Sequence, residues 1–490
     1  MARGPLAGRY PVVAAMVVFA LVPYLALSAA LGPLTPLIAR ELGMSLQAMN
    51  VTSGMANAGY AVGTVLAVQF AQHLPQRRML IVYGVLLVIG SVLTAAAVDP
   101  AMFIVGHVLQ GLCTSLLLIA AVPPLIIDYP AARLRETVVI LNVCIFGAVA
   151  LGPVVGGAQA SSHGWRPLFW IIAGIAVAAL VLSLLTFRDT PPANPGTPID
   201  FIALGLATVG CAAAFFGASW LLTHRFLDPA TWGPLFGGLL LLILLFVHEY
   251  TARNPLLCVR SLVSTLPVAG IVAAVCAAAA SVSAISLTQT SLADRMAPMN
   301  LGLLYLPEFG GAVLTAFVFA KVFHTRALHY FVLVGLVFLC AGILLMNGTA
   351  PPSAALTSVG SGLVGVGVGA SVVPALFIAG FSLRSRNVQR VFAIIELVRA
   401  VAAFMVAPIL LYVAANVGSN IDSGTRTALW ICFALSVAGA VVAVALYALG
   451  GVRHPPAPSV DTWMSGAQPG WFSPPLLARL THKAQPEDPC

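Results

Sequence analysis

Long apolar runs recur along nearly the whole chain and constrain its fold more than any other feature. Each run holds about 20 residues, the length that a helix needs to cross the hydrocarbon core of a bilayer. The runs do not alternate with the period of two that membrane strands show, so helices are expected. Hydrophobic residues make up 60% of the 490 residues and charged residues only 8%, against about 25% charged residues in soluble domains. The sequence therefore predicts an all-α polytopic membrane protein.

Charged, proline-rich or glycine-rich breaks divide the apolar sequence into fourteen predicted transmembrane helices, numbered here as spans 1–14. The first run is too long for the core of a signal peptide, and no small-residue cleavage site follows it, so we expect it to remain as span 1. The predicted spans are 12–37, 49–72, 79–98, 101–127, 137–159, 167–187, 200–222, 232–250, 264–290, 300–322, 328–347, 354–380, 390–416 and 427–449.

The basic residues are distributed unevenly between the two sides of these spans. With the N-terminus placed in the cytoplasm, seventeen of the 23 Lys and Arg residues fall in inner segments or at the inner ends of spans and five in outer segments, while Arg399 lies inside span 13. Cytoplasmic loops of membrane proteins carry such an excess. We therefore expect both termini in the cytoplasm and a multi-pass protein of the cell (cytoplasmic) membrane. The same bias accounts for the net charge of +8 without a nucleic-acid partner.

Span 5 contains an unusual set of helix-breaking residues within "IFGAVALGPVVGG" (145–157). Small residues let membrane helices approach closely, and a proline removes one backbone donor and bends the helix. A lone GxxxG face is also typical of ordinary helix packing. The stretch predicts a kinked, tightly packed face, formed by Gly147, Gly152, Pro153, Gly156 and Gly157.

The pattern Gly147-x4-Gly152-Pro153-x2-Gly156-Gly157 resembles the antiporter motif on helix 5 of the major facilitator superfamily. It is followed by "HGWRPLFWI" (163–171), similar to the short outer turn that leads into helix 6 of that family. In "GHVLQGLCTS" (106–115), similar to the RxxQG motif of helix 4, the motif positions are His107, Gln110 and Gly111. With fourteen spans, the resemblance is to the drug:proton antiporter branch, and it covers residues 10–450.

The resemblance implies the major facilitator fold, with two six-helix halves and two inserted helices. The halves would be residues 1–187 and 264–450, the inserted helices with their linkers 188–263, and the cytoplasmic tail 451–490. The proline content of the tail predicts disorder. A central cavity would open alternately to each side, and the Gly/Pro face of span 5 would pack on span 10. We expect a monomer that needs no cofactor and no metal.

The sequence departs from the family pattern at three places. The loop between spans 2 and 3, "VQFAQHLPQRR" (68–78), has Gln72 where the family has an aspartate, and it keeps only Arg77 and Arg78 of the motif. The aspartate expected in helix 1 falls near Leu27, and the arginine expected in helix 4 is His107. A charge latch built on the loop aspartate therefore cannot operate here as it does in the family.

Ionisable side chains inside the spans are candidates for proton coupling, because a charge near the bilayer centre costs about 2.5–3.5 kcal/mol. Glu308 lies in span 10, roughly 12 Å from its outer end at 1.5 Å per residue. Glu396 and Arg399 are spaced i,i+3 in span 13 and can form either a neutralised structural pair or a coupling site. Asp128 can couple protons or be held by loop arginines, and His107 can titrate or simply hydrogen-bond inside the bundle.

The sequence favours a proton-driven exporter of small lipophilic or amphipathic compounds. A same-fold permease or exporter for a specific metabolite is the alternative, which the missing aspartates keep open. A membrane enzyme or another non-transport membrane protein is the distant alternative. An enzyme would need clustered His, Cys, Asp or Glu residues at an interface, and no predicted loop has such spacing, so we do not expect one. The expected partners are a small-molecule substrate, protons and the lipid bilayer.

Overall fold

A computed structural model of the chain describes residues 5–162, 164–186, 191–192, 194–452, 457–466 and 468–481. Five residues that the sequence analysis placed in loops or in the tail lie outside the described residues, namely Arg3, His163, Arg188, Arg453 and Lys483. In the part of the chain that is described, regular structure is helical apart from one antiparallel bridge between Ser264 and Pro475.

The first seven helices cover spans 1–6. A 3-10 turn, Ala131–Arg133, precedes the fifth helix, and a π-helix, Val143–Gly147, joins the fifth helix to the sixth, so span 5 consists of several segments. The helices are α1 (Tyr10–Leu42), α2 (Leu46–His73), α3 (Gln76–Ala95), α4 (Pro100–Ile127), α5 (Leu134–Asn142), α6 (Ala148–Ser161) and α7 (Arg166–Thr186).

The remaining helices begin with the two inserted spans and end in the C-terminal segment. Span 10 is interrupted at Leu304 and Tyr305, between α12 and α13. The helices are α8 (Phe201–Trp220), α9 (Pro229–Thr251), α10 (Val259–Leu262), α11 (Thr265–Leu292), α12 (Pro298–Leu303), α13 (Leu306–Val322), α14 (Leu328–Met346), α15 (Ala354–Phe381), α16 (Val388–Asn416), α17 (Ile421–Leu449), α18 (Val460–Met464) and α19 (Ala478–Thr481), with a 3-10 turn at Ser385–Asn387.

Several helices begin where a side chain accepts hydrogen bonds from free backbone N–H groups. The carboxylate of Asp99 accepts from the N–H of Met102 at 2.9 Å, and α4 follows. Asp200 caps α8 in the same way, and Asn420 forms a reciprocal capping box with Ser423 at the start of α17. Local capping and apolar composition therefore account for these helix starts.

Thirteen helices in the described residues are long and apolar enough to cross a membrane, counting spans 5 and 10 once each. The prediction of a helical, multi-pass membrane protein is confirmed. The helix at the predicted span 2 is 28 residues long but is not among the thirteen, because many polar residues lower its mean hydropathy. Four of these polar residues are buried, namely Thr52, Thr64, Gln69 and Gln72. The count of fourteen spans stays a prediction.

The chain groups into two compact units. Unit 1 comprises Met1–Tyr129, Leu151–His248 and Ala297–Leu303, and unit 2 comprises Pro130–Ala150, Glu249–Met296 and Leu304–Cys490. Spans 5 and 10 therefore each contribute one segment to each unit. The boundaries of these units differ from the predicted domain boundaries at residues 187 and 264. The reason is that the two segments of span 5 fall in different units, and so do the two segments of span 10. The division into six-helix halves stays a prediction.

In unit 1, the loop that departs from the family pattern is fastened to the linker before α8. The Gln72 side-chain oxygen accepts a hydrogen bond from the Thr197 hydroxyl at 3.0 Å. One ring nitrogen of His73 lies 2.8 Å from the Thr197 carbonyl oxygen, and the Gln69 side chain accepts from the N–H of Asp200 at 3.1 Å. A glutamine side chain held by a hydrogen bond thus occupies the position at which the resembled motif has an aspartate.

In unit 2, glycines of α15 allow close contact with α13 and α14. A Cβ added at Gly365 would lie 2.7 Å from the backbone carbon of Glu308, and one at Gly367 would lie 2.7 Å from the backbone nitrogen of Leu339. Such distances are shorter than real Cβ contacts, so a larger residue would force the helices apart. This packing fixes the start of α13, which carries Glu308.

The C-terminal segment was expected to be disordered, but its described residues pack on unit 2. Trp463 and Trp471 are both buried. The Trp463 indole donates hydrogen bonds to the carbonyl oxygens of Gly380 and Leu383, at 3.0 and 2.9 Å. The tail differs from the expectation because its two tryptophans supply buried apolar area that the proline content does not reveal.

Candidate functional site

The GxxxG face of span 5 packs on α1 within unit 1. A Cβ added at Gly152 would lie 2.6 Å from the carbonyl oxygen of Ala26, and one at Gly156 would lie 2.9 Å from the Cα of Ala30. Two glycines spaced i,i+4 lie on one face of a helix. Only hydrogen side chains at these positions allow the two backbones to approach so closely.

The neighbouring glycine of span 5 contacts span 10 instead. A Cβ at Gly157 would lie 3.0 Å from the backbone carbon of Pro298, and one at Gly302 would lie 3.0 Å from the Cα of Val154. The resemblance to the family implied span 10 as the partner of the whole face. Gly157 meets that expectation, whereas Gly152 and Gly156 contact α1, because Gly157 is turned about 100° around the helix from Gly156.

The inner part of span 5 contains the π-helix Val143–Gly147. A π-helical turn inserts one extra residue into an α-helix and occurs often at functional sites. Asn142, which precedes it, is fully buried and donates a hydrogen bond from Nδ2 to the carbonyl oxygen of Gly369 at 2.9 Å. Its Oδ1 has no hydrogen-bond partner among the described residues. At the end of the π-helix, a Cβ on Gly147 would lie 3.3 Å from the Phe309 ring.

Glu308 lies in the first turn of α13, just after the interruption of span 10. Its side chain is half-buried. Within the described ranges, its carboxylate forms no hydrogen bond and no ion pair. Tyr305, at the interruption, donates from its hydroxyl to the hydroxyl of Thr288 at 2.9 Å. The structure therefore leaves this carboxylate available for a proton or a cationic group.

Glu396 and Arg399 form a buried ion pair on α16, with exposed fractions of 0% and 5%. The shortest contact joins Arg399 Nη2 to Glu396 Oε2 at 2.6 Å, and Arg399 Nε donates to the same carboxylate at 3.0 Å. The guanidinium also lies 5.9 Å from the centre of the Phe146 ring, which belongs to the π-helix of span 5. The carboxylate of this pair is thus neutralised by its own helix.

His107 and Gln110 of the helix 4 motif belong to a buried hydrogen-bonded chain in unit 1. His107 Nδ1 lies 3.2 Å from Gln110 Oε1, and Gln110 Nε2 donates to the Ser91 hydroxyl at 3.1 Å. The centre of the His107 ring lies 5.9 Å from the centre of the Phe103 ring and 5.9 Å from that of the Tyr24 ring. The structure thus shows the hydrogen bond that the sequence offered as one role for His107.

The third residue of the helix 4 motif, Gly111, allows close packing on α2. A Cβ at Gly111 would lie 2.9 Å from the backbone carbon of Ala56 and 2.8 Å from the hydroxyl oxygen of Tyr24. That hydroxyl donates to Asn57 Oδ1 at 3.2 Å. The motif glycine therefore brings α2 and α4 together beside the polar chain.

The other candidates lie at helix ends on the predicted inner side. Asp128 is exposed at the end of α4, and Arg133 forms an exposed ion pair with Glu136 at 2.6 Å. Arg77 reaches the carbonyl oxygen of Leu184 at 3.4 Å, and Arg78 is exposed.

Three polar residues that were not predicted from the sequence lie next to the candidates, namely Asn142, Tyr305 and Ser91. Asn142 could have been found as an amide inside the apolar run "VVILNVCIFGA" (138–148). The roles of Tyr305 and Ser91 depend on partners that are distant in sequence, and no local pattern indicates them.

The Major Facilitator Superfamily model matches residues 17–361 of the chain. The chain is 25% identical over 273 residues to an uncharacterized MFS-type transporter, YubD, of Bacillus subtilis, covering 54% of this chain and 52% of that protein. It is 26% identical over 302 residues to a multidrug resistance protein B homolog of Mycobacterium tuberculosis, covering 58% of this chain and 54% of that protein. It is 30% identical over 164 residues to the multidrug resistance protein MdtL of Escherichia coli, covering 33% of this chain and 41% of that protein. The chain spans about half the length of the curated relatives it matches.

Proposed function

The chain belongs to the major facilitator superfamily, a family of transporters rather than enzymes, and on this premise we propose that it exports small lipophilic or amphipathic compounds in exchange for protons. Two of the relatives carry multidrug resistance in their names, which supports drug export. The resemblance of span 5 to the antiporter motif supports exchange with protons.

A single observation carries the proposal of proton exchange: Glu308 is half-buried in span 10, and its carboxylate has no partner in the described chain. A carboxyl group in a membrane-embedded position is costly unless it is paired or functional. The Glu396 carboxylate, by contrast, is neutralised by Arg399. Glu308 is therefore the first choice for the proton carrier, ahead of Glu396, Asp128 and His107.

The proton gradient supplies enough free energy for such an exporter. One proton that moves inward across 100 mV releases about 2.3 kcal/mol, and one pH unit adds about 1.4 kcal/mol. A tenfold concentration ratio of a neutral substrate costs about 1.4 kcal/mol. The two contributions together therefore support a ratio of several hundredfold across the membrane. A stoichiometry of one proton per substrate is thus sufficient.

The proposed architecture is a monomer of fourteen spans in two six-helix halves with two inserted helices, both termini being in the cytoplasm. The helix α2 supplies the additional span. Contacts between distant loops support the sidedness. Asp422, in a predicted outer segment, accepts a hydrogen bond from Arg295, in another predicted outer segment, at 2.7 Å. The described tail contacts residues 131–133 and 380–383, which the same topology places on the inner side.

Export of one specific metabolite is the second candidate. It is favoured by Gln72, whose hydrogen bond to Thr197 replaces the charged latch of the family. Transport of a compound panel into everted membrane vesicles, with and without a proton gradient, distinguishes the two. Gradient-dependent uptake of several unrelated lipophilic compounds supports the drug exporter. Uptake of a single metabolite supports the second candidate, and no gradient-dependent uptake of any compound contradicts proton-driven export.

A further inference from the structure

We propose that the described C-terminal residues, 457–466 and 468–481, form a strap that fastens the inner end of span 5 to spans 9 and 12 and thereby stabilises the state closed at the inner side. The contacts that define the strap all lie within unit 2. The inference rests on the proposed alternating-access transport, since only such a cycle requires the inner helix ends to separate.

The first anchor of the strap is at the end of span 12. The Trp463 indole is 2% exposed and donates to the carbonyl oxygens of Gly380 and Leu383 at 3.0 and 2.9 Å. The backbone N–H of Trp471 donates to the carbonyl oxygen of Phe381 at 2.9 Å. The last carbonyl groups of a helix have no donors within the helix, so the strap caps the end of α15.

The second anchor is at the start of span 9. The N–H of Leu266 donates to the Ser473 hydroxyl at 3.0 Å, and the N–H of Thr265 donates to the carbonyl oxygen of Pro474 at 3.0 Å. These N–H groups belong to the first turn of α11, whose own N-cap residue, Ser264, forms no side-chain cap. The strap therefore also satisfies the free N–H groups at this helix start.

The third contact is with span 5. The short helix α18, which carries Trp463, packs on the 3-10 turn Ala131–Arg133 that leads into α5. In the proposed division, span 5 belongs to the first six-helix half, and spans 9 and 12 belong to the second. A strap attached to all three joins the two halves at the inner side, so opening there must break at least one of these contacts.

At Trp471, the second tryptophan of the strap, successive side chains alternate between buried and exposed positions. Trp471 and Ser473 are each 2% exposed, whereas Phe472 between them is 68% exposed. An aromatic side chain that does not contribute to docking is thus available for a matched control. Trp463→Phe keeps an aromatic ring in the first anchor but loses both hydrogen bonds.

The test measures opening with two single-cysteine proteins in everted vesicles. One retains the native Cys144, which is buried in the π-helix of span 5, and the other carries Ser473→Cys in the strap. Trp463→Phe and Trp463→Ala should raise maleimide labelling at both positions about tenfold, since loss of an anchor raises the population of the opened state. Phe472→Ala should leave both rates unchanged.

Faster labelling of Ser473→Cys without faster labelling of Cys144 would overturn the proposal, because the strap would then open without any effect on span 5. Unchanged labelling at both positions would also overturn it, because Trp463 would not be an anchor. Trp463→Phe is included in case Trp463→Ala fails to fold. The labelling needs neither substrate nor a proton gradient. A labelling shift in a protein that shows no transport would therefore leave the strap established and contradict the proposed function instead.

Discussion

Asn142 donates a hydrogen bond from Nδ2 to the carbonyl oxygen of Gly369 at 2.9 Å, directly before the π-helix of span 5. Gly369 belongs to the glycine-rich helix α15, so this bond joins the inner part of span 5 to span 12 within unit 2. Both residues are buried. The bond therefore fixes the point at which the α-helical hydrogen-bond pattern of span 5 changes.

We expect Asn142→Ala to lower the free energy of unfolding by about 0.5–1.5 kcal/mol, since one buried hydrogen bond, to the carbonyl oxygen of Gly369, would be lost. Thermal unfolding of the detergent-solubilised protein measures this. Asn347→Ala is the matched control, because Asn347 is also buried but neither of its side-chain polar atoms has a partner among the described residues. Equal destabilisation by both substitutions would show that the bond to Gly369 contributes nothing.

Replacement of Gly152 or Gly156 by Leu should abolish transport while the protein still inserts into the membrane. Even a Cβ at these positions would overlap the backbone of α1, and overpacking typically costs about 1–3 kcal/mol. That cost shifts a conformational equilibrium by roughly 5- to 150-fold. Gly174→Leu in α7 is the control, since a Cβ there meets nothing within 4 Å. Normal transport by both span 5 variants would assign the motif to ordinary packing.

The sequence was sufficient for the features that depend on local composition. Apolar runs predicted the helices, and the i,i+3 spacing of Glu396 and Arg399 predicted that they can pair, as they do at 2.6 Å. The family was identified from the motif around Gly152, and the match over residues 17–361 confirms it. These features could be predicted because each depends on residues close together in the chain.

Features that depend on distant partners could not be predicted. Gly152 packs on α1 rather than on span 10 because tertiary contacts, and not the motif, select its partner. The π-helix that ends at Gly147 has no local signal, since Val, Cys, Ile and Phe are also found in regular helices. The docking of Trp463 depends on the carbonyl groups of Gly380 and Leu383 at and just beyond the end of α15, which are 83 and 80 residues away in the chain.

Cysteine labelling should place Leu227→Cys and Ser419→Cys outside and Arg188→Cys inside, because the positive-inside distribution assigns the loops in this way. Leu227 is adjacent to Asp228 and is 84% exposed, and Ser419 is exposed near Asp422. A membrane-impermeant maleimide should therefore react at both from outside in intact cells. Labelling of either outer position only after permeabilisation, or of position 188 before it, would contradict the fourteen-span topology.

Glu396→Gln should lower the folded yield by leaving Arg399 buried without its counter-ion, which costs about 3–5 kcal/mol for a fully buried pair. Replacing both residues by Met should restore most of the yield, because it removes both charges and keeps apolar volume. Fluorescence-detected size-exclusion chromatography measures folded protein in the single and double variants. A double variant that folds and transports with the gradient would assign the pair a structural role, and one that folds without coupling would make it a coupling site.

Glu308→Gln should keep substrate binding but abolish proton-driven accumulation. The amide has nearly the shape of the carboxyl group but cannot take up and release a proton. The ratio of substrate concentrations across the membrane should therefore fall from several hundred, which the proton gradient can support, to about one. Substrate-induced proton release from the purified protein measures the coupling directly, and substrate binding is measured on the same sample. Glu136→Gln is the matched control, because Glu136 is exposed and paired with Arg133, and it should release protons as the unmodified protein does. Continued coupling in Glu308→Gln would exclude Glu308 as the proton carrier and direct the same experiment to His107 and Asp128.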